Sequence, residues 1–169
     1  MENKFYELTS PQKSIWYTEN YFENTNINNI CTSVIIYENI DINTLKKALN
    51  ILVQNNDSFR IKLSLQNDVP MQYISNFIPF DIDTTYINNM EDFHNIEQEM
   101  VNEKFNLIDS DLYKFKIAVF PDNSAGIIVN IHHIIADSWS LGISVQKVIQ
   151  IYHCIKNRWK CFNSRFIIY

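Results

Sequence analysis

Apolar and polar positions along this chain follow two periods, and the changes between them mark out the elements. From Asp41 to Asn55, Ile42, Leu45, Leu49, Leu52 and Val53 recur at helical spacing, which predicts an amphipathic helix with one face toward a core. A second helix is predicted over Glu91 to Phe105, with Phe93, Ile96, Met100 and Val101 on one side. A third runs from about Ser138 to Ile155 and turns Leu141, Val145, Val148, Ile149 and Tyr152 inward. Leu8-Thr9-Ser10-Pro11-Gln12 reads as a helix start: Thr9 can cap, Gln12 can complete a capping box, and Pro11 fits a first turn. Ile15, Trp16 and Tyr17 then form its apolar face.

Between these helices the period changes to that of strands. Asn24 to Asn29 read as a loop, followed by a strand over Ile30 to Tyr37, rich in β-branched residues. Phe59 to Leu65 alternates, turns at Gln66-Asn67-Asp68 and returns through Met71 to Ile74. Leu112 to Phe120 and Ile127 to His132 read as a hairpin joined by Pro121-Asp122-Asn123-Ser124-Ala125-Gly126. Ile127-Ile128-Val129-Asn130-Ile131 is almost continuously apolar, as in a strand covered on both faces. Helices and strands of similar weight predict an α+β or α/β layered domain, and the contrast between a continuously apolar strand and one-faced helices predicts an α/β two-layer sandwich with residues 127–133 as a central strand and residues 41–55 packed on the same sheet.

Composition narrows the function. With 169 residues, 46% hydrophobic and 14% aromatic, the chain has the make-up of one globular domain. Its only glycines, Gly126 and Gly142, leave no glycine-rich phosphate loop. A net charge of −5 argues against general nucleic-acid binding, and the basic residues Lys156, Arg158, Lys160 and Arg165 read as a solvated chain end. No signal-like segment or membrane-length apolar run is visible, and Cys31, Cys154 and Cys161 lack metal-ligand spacing, which suits reduced thiols in a cytoplasmic protein. Heavy use of Asn, Ile and Lys fits an AT-rich coding genome.

The chemistry gathers at the end of the apolar strand. His132 and His133 are adjacent, so they cannot both face one cavity while the strand persists; a functional pair would divide into one chemical and one supporting ring. From the residues alone, two satisfied core histidines with Asp137 as a helix cap are the simpler reading. A metal site would need three or four ligands, and the remaining histidines, His94 and His153, supply no pattern for one.

Four ordered segments shift this balance. His132-His133-Ile134-Ile135-Ala136-Asp137-Ser138-Trp139-Ser140 resembles the HHxxxDGxS signature of nonribosomal peptide synthetase condensation domains, relatives of chloramphenicol acetyltransferase. Leu8 to Gln12 with Ile15-Trp16 resembles the family's opening motif, Asp57-Ser58-Phe59-Arg60 the end of its second, and Phe105-Asn106-Leu107 followed by Leu112 the segment before the catalytic strand. Ser138 stands where glycine is usual, a handicap if that position needs a positive φ, and Asp111 where proline is usual. Gln54-Asn55 or nearby polar residues replace the Arg-His that opens the second motif.

The resemblance implies a chloramphenicol acetyltransferase-like N-terminal half over residues 1–157, with 158–169 as a tail or the start of a second half. It implies that His133 faces substrate and that His132, Asp137, Ser138 and Arg60 support the motif, Asp137 through an ion pair with Arg60. The implied reaction joins an acyl group to an amine, both carried on phosphopantetheine arms of carrier proteins, with no metal and no directly bound cofactor. Implied partners are carrier proteins, adenylation domains and the second half, whose absence would expose an apolar face that includes Phe166-Ile167-Ile168-Tyr169. A related acyltransferase using acyl-CoA or acyl-carrier donors, or an inactive partial module that only docks, are the alternatives.

Overall fold

A computed structural model describes residues 4–22 and 25–157. In chain order the elements are β1 (Tyr6–Glu7), α1 (Ser10–Tyr21), β2 (Asn29–Ile36), α2 (Ile42–Asn55), β3 (Ile61–Gln66), β4 (Val69–Ile74), β5 (Asp83–Tyr86), α3 (Met90–Asn102), β6 (Tyr113–Val119), β7 (Ala125–His132) and α4 (Ser138–Lys156). They build a four-stranded sheet of order β2-β7-β6-β5 and a smaller sheet of order β1-β4-β3. In the larger sheet β7 is antiparallel to both neighbours, and β5 runs parallel to β6.

The apolar run of β7 takes the interior place that its composition predicts, buried at all eight positions. Ile127, Val129 and Ile131 share one face with Phe115 and Ile117 of β6, against which α2 and α4 pack through Leu45, Leu49, Leu52, Leu141 and Val148. Ile128 points the other way, with Ala118, toward Phe93, Ile96 and Met100 of α3. This two-sided cover is why the run does not alternate. At Gly126 the Phe93 ring of α3 fills the place of a side chain: a Cβ there would lie 2.2 Å from Phe93 Cε2.

Caps set the helix starts. Asp41 takes the Asn43 N–H at 3.0 Å and the Thr44 hydroxyl at 2.7 Å to open α2, and Asn89 takes the Asp92 N–H at 3.0 Å to open α3. The Tyr152 hydroxyl accepts the Asp41 N–H at 3.1 Å, tying the start of α2 to the late turns of α4. The two helices therefore run antiparallel, and the end of α2 shares an end of the molecule with the start of α4.

The structure adjusts several expectations. Phe59 lies in a single 3₁₀ turn, Asp57–Arg60, and the strand begins at Ile61. Asn67 and Asp68 both adopt positive φ, 50° and 64°, as a two-residue turn with right-handed strand twist demands. α3 ends at Asn102, three residues before Phe105, and β7 ends at His132, one before His133. β1 and β5 are strands without a periodic signal of their own. The 158–169 tail, with Cys161 and Phe166 to Tyr169, lies outside the described residues.

Candidate active site

Two successive histidines leave β7 in opposite situations. His132, the last strand residue, is 2% exposed, and its ring meets Phe105 edge-on at 6.0 Å between centroids. Its Nδ1 accepts the Ile134 N–H at 3.3 Å, a long bond, and together with the Glu19 carboxylate opposite Nε2 this places the ring proton on Nε2. Nε2–H then donates to Glu19 Oε1 at 3.2 Å. Burial pushes the His132 imidazolium below the usual histidine range, outweighing the upward pull of Glu19. This ring is neutral, with a fixed tautomer.

His133 begins the turn beyond the strand and is exposed. Its backbone N–H donates to Asn28 O at 2.8 Å, and Ile135 N–H to His132 O at 3.1 Å closes the turn behind it. The Gln12 side chain donates to Ile134 O at 3.2 Å while exchanging amide hydrogen bonds with Gln72 of β4 at 2.9 and 3.0 Å. Gln12 also accepts the Thr9 N–H at 2.9 Å, so within the opening Leu8 to Gln12 segment one side chain both starts α1 and holds the turn after the histidines. The exposed imidazole stands on a backbone fixed from two sides.

Asp137 is the N-cap of α4. Hydrogen bonds from Ser140, including its N–H at 2.7 Å, hold the Asp137 carboxyl below the usual carboxylate range. Ser138 opens that helix and is not among the positive-φ residues, so the conformation that would have favoured glycine is not required here. The expected ion pair between Asp137 and Arg60 is not formed. Arg60 closes the 3₁₀ turn and pairs with Asp57 three residues earlier, while its Nη1 donates to Ser75 O at 3.0 Å. Both groups lie toward the same end of the α2/α4 pair, but each has a local partner that costs no long-range ordering. Arg60 lines a cleft of about 470 Å³ with Lys62, Tyr73, Phe77, Phe80 and Tyr113.

Two polar residues that the motifs did not single out join the histidines: Glu19, 14% exposed at its side chain, and Asn28, whose Nδ2 donates to Glu19 Oε1 at 2.7 Å. Glu19 carries a legible signal, since a charged residue four places after Ile15 and seven after Gln12 falls on the helix face turned inward. Elsewhere, burial pushes the Cys31 thiol up to about 11, so it is not a nucleophile at neutral pH. Among the described residues no group of three His, Cys, Asp or Glu side chains could hold a metal ion, and no helix is long and apolar enough to cross a membrane.

A family model described as Condensation domain matches residues 2–161. Surfactin synthase subunit 1 of Bacillus subtilis (strain 168) is 34% identical over 159 residues, 90% of this chain and 4% of that protein. Bacitracin synthase 3 of Bacillus licheniformis is 24% identical over 152 residues, 89% of this chain and 2% of that protein. The chain therefore spans only a small fraction of these relatives' length. Among solved structures, the starter condensation domain of rhizomide synthetase RzmA superposes with a TM-score of 0.80 at 17% identity, over 92% of this chain and 39% of that one. The X-domain from teicoplanin biosynthesis does so with a TM-score of 0.80 at 17% identity, over 90% and 33%. With a model match across nearly the whole sequence and the same fold in these structures, the chain belongs to the condensation domain family.

Proposed function

We propose that this chain is the histidine-bearing half of a domain that forms amide bonds in nonribosomal peptide synthesis, joining a donor acyl group to an acceptor amine. Both substrates arrive as phosphopantetheine thioesters on carrier proteins, and adenylation domains and a second half of the domain are the remaining partners. One observation carries the reading: the imidazole of His133 is exposed just beyond a fully buried strand, with its backbone pinned, while His132 is turned into the protein and kept neutral.

The chemistry follows from that placement. The acceptor amine attacks the thioester carbonyl; the N–C bond forms, the C–S bond breaks, and the electron pair of the latter leaves on the phosphopantetheine thiolate. The amine must lose one proton. His133 accepts the hydrogen bond of the attacking N–H, orients its lone pair toward the carbonyl, takes the proton and returns it to the departing thiolate. Asp137 shapes the turn as the cap of α4 rather than through Arg60. A cytoplasmic setting goes with the reading, supported by the free thiols of Cys31 and Cys154.

The test is a single-turnover condensation with loaded donor and acceptor carrier proteins, using the product of the full reading frame that contains this chain. Amide formation in the parent protein and its loss in His133→Ala are expected. Full activity in a folded His133→Ala protein would overturn the assignment.

A further inference from the structure

Glu19 belongs to neither of the motifs that flank it in space, yet it touches the surroundings of both histidines. We propose that Glu19 is a positioning residue for the condensation site: one carboxylate oxygen fixes the tautomer of His132 and, through Asn28, the backbone position of His133. The proposal rests on His133 being the catalytic group.

The geometry is a branched relay. Glu19 Oε1 receives His132 Nε2–H at 3.2 Å and Asn28 Nδ2–H at 2.7 Å. The same Asn28 offers its backbone carbonyl to the His133 N–H at 2.8 Å. One oxygen therefore reaches one histidine through its ring and the next through its main chain. Both acceptor positions of that oxygen are taken by groups whose placement matters to the turn. A carboxylate is the natural choice, because it accepts from two donors and offers no proton that could compete for His132 Nε2.

The helix that carries Glu19 has the same orientation along its length. Among α1 residues none is fully buried, yet Gln12 and Glu19, two turns apart, both reach inward to the end of β7 and the turn after it, Gln12 at Ile134 O and Glu19 at His132. The loop bearing Asn28 keeps other ties: Asn26 Nδ2 to Val101 O at 2.8 Å and Asn29 Nδ2 to Glu103 O at 2.6 Å. Loss of Glu19 thus frees the Asn28 corner without detaching the loop, and the lesion falls on the histidines.

The test combines three variants with two readouts. ¹⁵N-detected imidazole spectra and backbone amide shifts of the full 169-residue chain at pH 7 do not depend on any substrate. We expect the wild type to show His132 with its proton on Nε2. In Glu19→Leu that resonance becomes a mixture of tautomers and the His133 amide moves; Glu19→Gln, which keeps the accepting oxygen, restores both. Asn28→Ala moves the His133 amide while leaving the His132 tautomer intact, and it carries the test if Glu19→Leu does not fold. In the condensing parent protein, Glu19→Leu lowers kcat about 10- to 100-fold with KM little changed, the scale of a misplaced catalytic group, and Glu19→Gln recovers most of it. An unchanged His132 tautomer and His133 amide in Glu19→Leu, or an unmoved His133 amide in Asn28→Ala, overturns the proposal whatever the enzyme assay gives. A parent protein that forms no amide bond overturns the functional reading instead and leaves the spectra to judge the relay.

Discussion

Truncating the two histidines in turn separates support from chemistry. In His132→Ala a ring 2% exposed disappears from beside Phe105, together with its hydrogen bond to Glu19 and its acceptance of the Ile134 N–H. A hydrogen bond to a charged partner contributes about 1.5–3 kcal/mol. Packing lost around the emptied ring site adds about 1–2 kcal/mol, below the range for a full aromatic side chain because the imidazole is smaller and polar. Together these centre on about 3–4 kcal/mol. For a chain of this size 1 kcal/mol moves Tm by about 2–4 °C, so His132→Ala should melt roughly 6–16 °C below wild type. His133→Ala removes an exposed ring and leaves the bond to Asn28, which is made by the backbone, so its Tm should stay within about 2 °C. Thermal and urea unfolding of the two variants, run beside the single-turnover assay, give the comparison. Stability loss and activity loss should travel together in His132→Ala and separate in His133→Ala. If His132→Ala melts with wild type, or His133→Ala unfolds as early as its neighbour, the division of roles derived from burial is wrong.

Gly126→Ala should destabilise by about 1–3 kcal/mol, because the new methyl would meet Phe93 at 2.2 Å inside a packed layer; adding Phe93→Leu should recover part of that in a double-mutant cycle by urea denaturation. Asp137→Ala should cost about 1 kcal/mol, the loss of a helix cap, and a cycle with Arg60→Ala should give a coupling energy within about 0.5 kcal/mol of zero; a coupling of several kcal/mol would show that the two pair after all. The pH dependence follows from His132, whose folded-state pKa is lowered: the unfolded chain takes up a proton near pH 6.5 while the folded protein resists it. Stability should therefore fall as pH drops below about 6.5, by at most about 1.4 kcal/mol per unit, and level off below the folded-state value; in His132→Ala calorimetry between pH 7 and 5 should show a flatter profile.

Long, strongly periodic segments were legible because burial alone dictates their pattern. The inward positions of α2 and α4 and the apolar run of β7 follow directly from which faces are covered. β5 was not legible: Asp83-Thr84-Thr85-Tyr86 is short and nowhere fully buried, and it becomes a strand only because β6 offers its edge in parallel. Phe59 reads as a strand residue, but Asp57 and Arg60 close a 3₁₀ turn around it. The histidine pair was visible as a motif and as an inside–outside problem, since one of two neighbours at a strand end must turn away. Two contacts escaped for the same reason. The partner of Arg60 is local where the family resemblance implied a distant one, and the partner of His132 is Glu19, 113 residues away. Local sequence fixes neither choice, which depends on how separate elements come to rest against each other.

Complete burial of β7 also determines the order in which the molecule opens. Its amides are bonded to β2 on one side and β6 on the other, under helices on both faces, so they should exchange with solvent deuterium only when the whole sheet comes apart. Residues 133–137, immediately beyond, lie outside that ladder: Ile134 and Ile135 stay buried, but the segment is held by single bonds such as His133 N–H to Asn28 O, so its amides should exchange sooner than those of the strand. His133 thus sits on the boundary between the slowest-exchanging strand and a turn whose amides exchange sooner. An exposed ring placed there can turn about its own side-chain bonds, while the held backbone keeps its distance back to the sheet constant.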